Sequence, residues 1–212
     1  MDRSNDDSLL LKLIEELIEK HRCHTVILYG SRARGDATSS SDYDLLGIKK
    51  TGEKYRLAEK RKGVYLDIFI SPEKEFRKVG EEHLYMKGAK LLYQRGEFGV
   101  NFLKKLKKAT QKKYQPLSAN ERKLRQVWLH KMYDRIRQGD IEGNYRRSWL
   151  HEALLSEYFN IRKKRYWGSK ESFHWLMQND LATYKLFDRV LKNPFDMKLL
   201  KKLVERVSLL KM

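Results

Sequence analysis

Three short apolar runs follow one another in the first 70 residues of this chain. Thr25 to Tyr29 (TVILY) ends at a glycine, and it is followed by Asp42 to Ile48 (DYDLLGI) and Val64 to Ile70 (VYLDIFI). Runs of this length, rich in β-branched and aromatic residues, are typical of buried strands. A fourth run, 89–93, is predicted to be a short strand as well. We therefore expect a β-sheet in this part of the chain.

Helix signals lie between these strands. Apolar residues at helical spacing predict a helix over 8–21. Ser71 and Pro72 predict another helix start, with serine as the N-cap and proline at the first helical position. Residues 49–62 are rich in Lys and Arg and are predicted to form an exposed connection. Together these patterns predict a small domain of strands and helices over residues 1–98.

Residues 99–212 carry helix signals only. Ser118 and Glu121 form a capping-box sequence, and Asp196 is predicted to cap the last helix. Between them we expect three helices near 144–166, 170–178 and 181–191. Six aromatic residues of this half are predicted to pack between helices: Trp128, Trp149, Trp167, Phe173, Trp175 and Phe187. The pattern predicts a helical bundle as the second domain.

The excess of positive charge belongs to this second half. The chain has 46 Lys and Arg against 28 Asp and Glu, a net charge of +18. Residues 99–212 hold 27 basic and 11 acidic residues, a net charge of +16. A field of this sign concentrates polyanions and repels cations. A solvated basic surface without a partner is the plainer interpretation, and the sequence leaves both open.

Several classes of protein are excluded or disfavoured. Cys23 is the single cysteine, so neither an intrachain disulfide nor a cysteine-based zinc site is expected. The start of the chain (MDRSNDD) is polar and acidic and does not resemble a secretory signal. No apolar run approaches the ~20 residues that span a bilayer. We expect a soluble, cytoplasmic protein that does not bind a membrane.

Three carboxylates carry the chemistry of the first half. Asp42 and Asp44 are two residues apart on a predicted strand, so their side chains leave the same face. Asp67 interrupts an otherwise apolar strand, where an unpaired carboxylate would be costly. If the two strands are neighbours, the three side chains converge. Hard oxygen ligands without cysteine or clustered histidine suit Mg²⁺ or Mn²⁺.

A glycine-serine pair follows the first predicted strand. Gly30 would allow close approach of the backbone to a ligand, and Ser31 and the following amides would cradle phosphate oxygens. Arg32 and Arg34 add positive charge beside them. A phosphate cradle next to an acidic metal site is what metal-assisted phosphoryl or nucleotidyl transfer requires.

These residues together resemble a known superfamily. The residues on which the resemblance rests are Gly-Ser-Arg-Ala-Arg-Gly at 30–35, Ser-Asp-Tyr-Asp-Leu at 41–45, and Asp67 in an apolar strand. This arrangement is similar to that of the DNA polymerase β-type nucleotidyltransferases, and especially to small bacterial members of the minimal and aminoglycoside-modifying kinds. The resemblance covers roughly residues 9–95. It implies an α+β fold, a mixed sheet with flanking helices, followed here by the helical bundle.

The resemblance also implies roles. Asp42, Asp44 and Asp67 would be the catalytic, metal-binding residues, with Asp67 as a base toward the incoming hydroxyl. Gly30 and Ser31 would bind phosphates of a nucleoside triphosphate, expected to be ATP by analogy. The reaction implied is attack on the α-phosphorus with release of pyrophosphate. In small members a helical domain closes over acceptor and nucleotide, so 99–212 would bind the acceptor, and Lys170 would reach the triphosphate across the cleft.

The sequence leaves the acceptor open. The net charge favours an anionic acceptor such as tRNA or another RNA over a polycationic antibiotic, and a protein hydroxyl is a further candidate. Glu142, Glu152 and Glu157 are the acidic residues that a local antibiotic pocket would use. A non-catalytic module that binds RNA or another partner is the alternative of a different class. The basic clusters that would contact phosphates are Lys104, Lys105, Lys107, Lys108, Lys112, Lys113 and the run 162–165.

One further pair resembles a ribonuclease motif. Arg146 and His151 have the Arg-x4–6-His spacing of helical HEPN-type ribonucleases. Residues five apart on a helix do not share a face, so we do not expect the two side chains to meet within one chain.

Overall fold

The computed structural model describes residues 3–211, with side chains from Ser8 onward. The chain folds into two compact units, and the division falls between Lys112 and Lys113. The first unit contains a mixed sheet with flanking helices, and the second unit is helical. The α+β fold class predicted from the sequence is therefore confirmed.

The first unit is built on five strands. They are β1 (Thr25–Tyr29), β2 (Tyr43–Lys49), β3 (Tyr55–Arg61), β4 (Val64–Pro72) and β5 (Lys90–Gln94). The strand order is β3-β4-β2-β1-β5. Only β2 and β4 are parallel, and the other three pairs are antiparallel. The side chains of β2 and β4 therefore run in step across the centre of the sheet.

Helix α1 (Arg3–Glu19) covers one face of this sheet. Its Leu9, Leu13 and Leu17 recur at helical spacing and are almost fully buried in the core that they share with the central strands. Burial of such a stripe is the main source of stability for a helix on a sheet. The core on this face comprises Leu9, Leu13, Leu17, Cys23, Val26, Leu28, Ala33, Tyr43, Leu45, Leu66, Ile68 and Ile70.

Two predicted features of this unit are corrected. Ser71 and Pro72 do not begin a helix, because β4 continues through both residues in register with Ile48 and Lys49 of β2. A 3-10 turn, Glu73–Phe76, begins only after Pro72. The exposed connection predicted over 49–62 contains the edge strand β3. Its side chains are mostly exposed, so hydrophobic alternation provided no signal.

The boundary between the two units also lies further along the chain than Phe98. Helix α3 (Phe98–Gln111) belongs to the first unit and contacts β5, β1 and a 3-10 segment, Glu81–Met86. Its Gly99 approaches the sheet closely, since a Cβ there would lie 2.5 Å from Leu91 Cδ1. Phe102 is buried and packs edge-on against Phe76. This packing makes the helix part of the first core.

As far as residue 211, the second unit consists of five helices. They are α4 (Ala119–Ile136), α5 (Ile141–Ile161), α6 (Ser169–Asn179), α7 (Leu181–Lys192) and α8 (Met197–Ser208). The Ser118 capping box is confirmed, and Asp196 accepts hydrogen bonds at the start of α8 as predicted. Helix α5 begins earlier than predicted because Asp140 caps it through Gly143 N. It ends earlier too, just before Lys163 adopts a left-handed conformation.

The core of this unit is apolar and continuous. It runs along α4, α5 and α8 and includes Phe187 of α7, as predicted, with Phe173 and Trp175 packed at its edge. The prediction that Trp128 and Trp149 pack between helices is wrong, because these residues are 37% and 48% exposed. Spacing alone does not distinguish a buried stripe of a helix from an exposed one.

Candidate active site

The sheet brings two of the three predicted carboxylates side by side. Asp44 is the second residue of β2, and Asp67 lies directly opposite it on the parallel strand β4. Asp42 immediately precedes β2, and its negative charge acts on Asp44. All three side chains are only partly buried. The parallel register, rather than proximity in sequence, brings Asp67 to Asp44.

The electrostatics of Asp44 reflect this crowding. Burial, and then the negative charges of Asp42 and Asp67, raise the pKa of Asp44 to about 6, although Arg34 acts in the opposite direction. Charged carboxylates at such short separations repel one another, and a bound cation removes this repulsion. Three hard oxygen donors with this repulsion fit a divalent ion such as Mg²⁺ or Mn²⁺.

Asp67, however, already has a cationic partner. Arg56 of β3 donates from Nε to Oδ1 at 2.6 Å and from Nη2 to Oδ2 at 2.8 Å. Among the described residues, no three His, Cys, Asp or Glu side chains converge as a group that would hold a metal ion. The carboxylates are neighbours along the sheet, but the Asp67 side chain is directed toward Arg56.

Gly30 lies against Asp44 at the end of β1. It begins the five-residue helix α2 (Gly30–Arg34) with a φ of +69°, and a Cβ at this position would lie 1.9 Å from Asp44 Oδ2. Any side chain would therefore displace the carboxylate. Ser31 follows, partly buried, in the first turn. The loop predicted to cradle phosphates thus borders the carboxylates directly.

The two arginines of α2 have structural contacts. Arg32 donates to the carbonyl oxygens of Ser41 and Asp42 and stacks over the Tyr43 ring at 4.0 Å. These contacts tie α2 to the start of β2. Arg34 forms an ion pair with Asp36, with its Nε 3.5 Å from Asp36 Oδ1. The predicted contacts of both arginines with phosphate stay predictions.

Three residues near the carboxylates were missed by the sequence reasoning. Arg56 lies on a strand that the sequence did not reveal. Tyr29 and Tyr85 pack edge-to-face at 5.5 Å. Partial desolvation, and then the charges of Asp67 and Asp44, raise the pKa of Tyr85, so its hydroxyl lies within electrostatic range of both carboxylates. Tyr85 belongs to the 3-10 segment Glu81–Met86, and no local pattern connects it to the sheet.

The basic residues predicted to contact the nucleotide or the acceptor differ in exposure, in their contacts and in the unit to which they belong. Lys170 lies in the first turn of α6 and is exposed, and its contact with a triphosphate stays a prediction. Arg162 is not directed outward, because it donates to the carbonyl oxygens of Arg206 and Val207 at the end of α8. Lys104, Lys105, Lys107 and Lys108 lie on exposed positions of α3, in the first unit.

The Arg146 and His151 pair does not form a site within this chain. Arg146 pairs with Glu142 on its own helix, at 2.6 Å. His151 Nε2 is buried and has no hydrogen-bond partner among the described residues, and burial lowers the pKa of His151. The two side chains have separate surroundings, as the spacing predicts.

One cavity of about 390 Å³ lies between α4 and α5. Its wall contains Trp128, Leu124 and two acidic residues, Glu121 and Glu157. Glu157 is buried and already pairs with Arg125, which also lines the cavity. Of the acids considered for an antibiotic pocket, Glu142 and Glu152 are exposed and do not line it.

Comparison with known proteins identifies the first unit. Residues 12–115 match the family described as polymerase beta, nucleotidyltransferase. Among solved structures, a nucleotidyltransferase-like protein from Exiguobacterium sibiricum 255-15 aligns at a TM-score of 0.39 and 14% identity, over 88% of this chain and 68% of that one. No curated protein matches. No helix in the described part of the chain has the length and apolar character to cross a membrane. The matched segment includes Gly30, Asp42, Asp44 and Asp67, and this chain carries a nucleotidyltransferase domain of the polymerase beta superfamily.

Proposed function

We propose that this protein transfers a nucleoside monophosphate, AMP from ATP, to a hydroxyl group of an acceptor. The observation that carries the proposal is the juxtaposition of Asp44 with Asp67 in adjacent strands, directly beside Gly30. A small-residue loop against paired carboxylates provides room for a triphosphate next to oxygen ligands for its counter-ion.

Asp42, Asp44 and Asp67 are the residues that would hold a divalent ion, Mg²⁺ or Mn²⁺. Bound there, such an ion would neutralise charge on the phosphates and on the attacking and leaving oxygens. The raised pKa of Asp44 supports this assignment, because burial, and then the negative charges of Asp42 and Asp67, penalise an ionised carboxylate that has no counter-ion. The acidic residues also exclude a phosphate from binding at the same place without a counter-ion.

The chain's own residues orient the reactants. Gly30 and Ser31 accept the triphosphate, while Asp67 takes the proton of the acceptor hydroxyl. The hydroxyl oxygen forms a bond to the α-phosphorus, the bond from that phosphorus to the bridging oxygen breaks, and pyrophosphate leaves with the electron pair. Positioning of this kind provides most of the rate enhancement in phosphoryl chemistry.

The charge distribution favours RNA as the acceptor. Residues 99–212 carry a net charge of +16, and many of their lysines are exposed. Neutralising six phosphates would make binding strongly dependent on salt. A protein hydroxyl, an antibiotic, and non-catalytic binding of RNA or another partner are the competing interpretations.

Label transfer tests the proposal. The protein is incubated with each α-³²P nucleoside triphosphate and Mg²⁺, together with total tRNA, a protein lysate or mixed aminoglycosides. Asp67→Asn removes one proposed catalytic carboxylate, and Asp36→Asn makes the same change at an exposed residue. We expect label on RNA, lost by about 100-fold or more in Asp67→Asn and retained in Asp36→Asn.

The other results are informative. Label on aminoglycosides or on protein would retain the enzyme and replace the RNA acceptor. RNA binding without nucleotide binding, unchanged by Asp67→Asn, would support the non-catalytic module instead. RNA affinity that does not fall between 50 and 200 mM salt would remove the electrostatic argument for RNA.

A further inference from the structure

The edge strand β3 carries an arginine beside the candidate metal ligands. Ala58 of β3 lies opposite Asp67 of β4, and Arg56 lies opposite Phe69. Residues two apart on a strand share a face, so Arg56 is diagonal to Asp67 on the face that also holds Asp44. The small side chain of Ala58 leaves the guanidinium a path to the carboxylate, and the Arg56 side chain lies 5.1 Å over the Phe69 ring.

The pair between Arg56 and Asp67 uses both carboxylate oxygens. The two hydrogen bonds, 2.6 and 2.8 Å long, have the bidentate geometry that is strongest for arginine and carboxylate. The Arg56 side chain is 56% exposed, whereas that of Asp67 is 20% exposed. Arg56 therefore fixes the orientation of Asp67. Because the Arg56 side chain is largely exposed, it can move away into solvent when the pair breaks.

This orientation conflicts with the role proposed for Asp67. A divalent ion shared with Asp44 needs at least one Asp67 oxygen as a ligand, but both oxygens already accept hydrogen bonds from the Arg56 guanidinium. The absence of a converging group of ligands in the described part of the chain agrees with this orientation. Arg56 also supplies positive charge at the place where the ion would supply it.

We propose that Arg56 is a positioning residue that holds Asp67 out of the metal centre in the nucleotide-free protein and releases it when the divalent ion arrives with its triphosphate. This inference rests on the proposed function. Metal binding then requires exchange of one cation for another at Asp67. The free protein therefore binds divalent ions weakly, and nucleotide and ion enter together.

The test measures Mn²⁺ affinity rather than activity. The electron paramagnetic resonance signal of free Mn²⁺ is followed as the nucleotide-free protein is added. Arg56→Gln removes the competing charge, and we expect Mn²⁺ to bind roughly threefold to tenfold more tightly, the range of an exposed to partly buried ion pair. Arg56→Lys keeps the charge without the bidentate geometry and should give an intermediate affinity.

Lys60→Gln is the matched control. Lys60 is on the same face of β3 and carries the same charge, but it lies over the Tyr65 ring and not at Asp67. We expect less than a twofold change for this variant. In a chain that already carries Asp67→Asn, Arg56→Gln should have no further effect on Mn²⁺ affinity. Thermal unfolding checks that each variant is folded, and Arg56→Lys keeps the test usable if Arg56→Gln is not.

Four results would overturn the inference, the first three of which compare the variants. They are an unchanged affinity in Arg56→Gln, a weaker affinity, which would make Arg56 a support for the metal-bound carboxylate, and a change equal to that of Lys60→Gln. Lack of Mn²⁺ binding in both wild type and variant would overturn it too. The proposed function can fail independently of the inference. If Arg56→Gln binds Mn²⁺ more tightly but the wild type transfers no label to any acceptor, the inference stands and the proposed reaction is wrong.

Discussion

Gly30 and Asp44 approach so closely that a methyl group on the glycine would lie 1.9 Å from the carboxylate Oδ2. No side chain fits between the end of β1 and the second residue of β2. The contact joins the loop proposed to bind phosphate to a carboxylate proposed to bind metal. Gly30 thus has two separate reasons to be glycine, the collision and its positive φ.

Gly30→Ala is predicted to lose nucleotidyl transfer by about 100-fold or more, because the new methyl group must move the Asp44 carboxylate. Gly35→Ala provides the control. Gly35 also has a positive φ, of +84°, but nothing lies within 4 Å of its Cβ position.

Both variants should lose about 1 kcal/mol or more of stability from backbone strain. Thermal unfolding and label transfer are measured on each. Equal activity in the two variants would show that the close contact of Gly30 with Asp44 is not needed for the reaction.

The stability of the metal-free protein is predicted to depend on pH through Asp44. Its pKa is raised from 3.8 to about 6 in the folded protein, so the folded state holds this proton more tightly than the unfolded chain does. The free energy of unfolding therefore decreases as the pH rises from about 4 to about 6, and this loss is complete above that range.

Asp44→Asn removes this penalty. In EDTA we expect the variant to be more stable than the wild type at pH 8, by at most about 1 kcal/mol because solvent screens a partly exposed group, and to lose this advantage at pH 4. The measurement is thermal unfolding of both proteins at the two pH values. The same difference at pH 4 and pH 8 would show that Asp44 is not the titrating group.

Arg162 is predicted to stabilise the second unit rather than to bind RNA. Its guanidinium donates to Val207 O and Arg206 O and lies 3.9 Å from the centre of the Tyr158 ring. Arg162→Ala should lower the free energy of unfolding by about 2 kcal/mol, because the carbonyl oxygens that end α8 lose a charged donor.

Lys163→Ala, at the exposed neighbour, should leave stability nearly unchanged. Urea unfolding of the two variants checks this. Equal stability in both would place Arg162 with the exposed basic residues.

Cys23 is predicted to be chemically inert in the folded protein. The thiol is buried, and burial raises its pKa to about 12, so almost no thiolate exists at pH 8. A thiol reagent should react with the urea-unfolded chain at once and with the native protein only as it unfolds. Rapid modification of the native protein would mean that the core between α1 and the sheet opens readily.

The amino-acid sequence was sufficient for the elements whose signals are local. TVILY is β1, and the box of Ser118 with Glu121 begins α4, because alternation, helical spacing and a cap three residues away all act within one element. The candidate acids could be chosen in the same way. Asp67 is conspicuous because a carboxylate in an apolar strand needs a partner.

Tertiary structure alone decided which partners these residues have. The parallel register sets Asp44 opposite Asp67, and the mostly exposed edge strand β3 brings Arg56 to the same carboxylate. Trp128 and Trp149 are exposed although their spacing resembles that of buried residues. The physical reason is common to all three: strand register and the choice of the buried helix face depend on residues far apart in sequence, which no local pattern encodes.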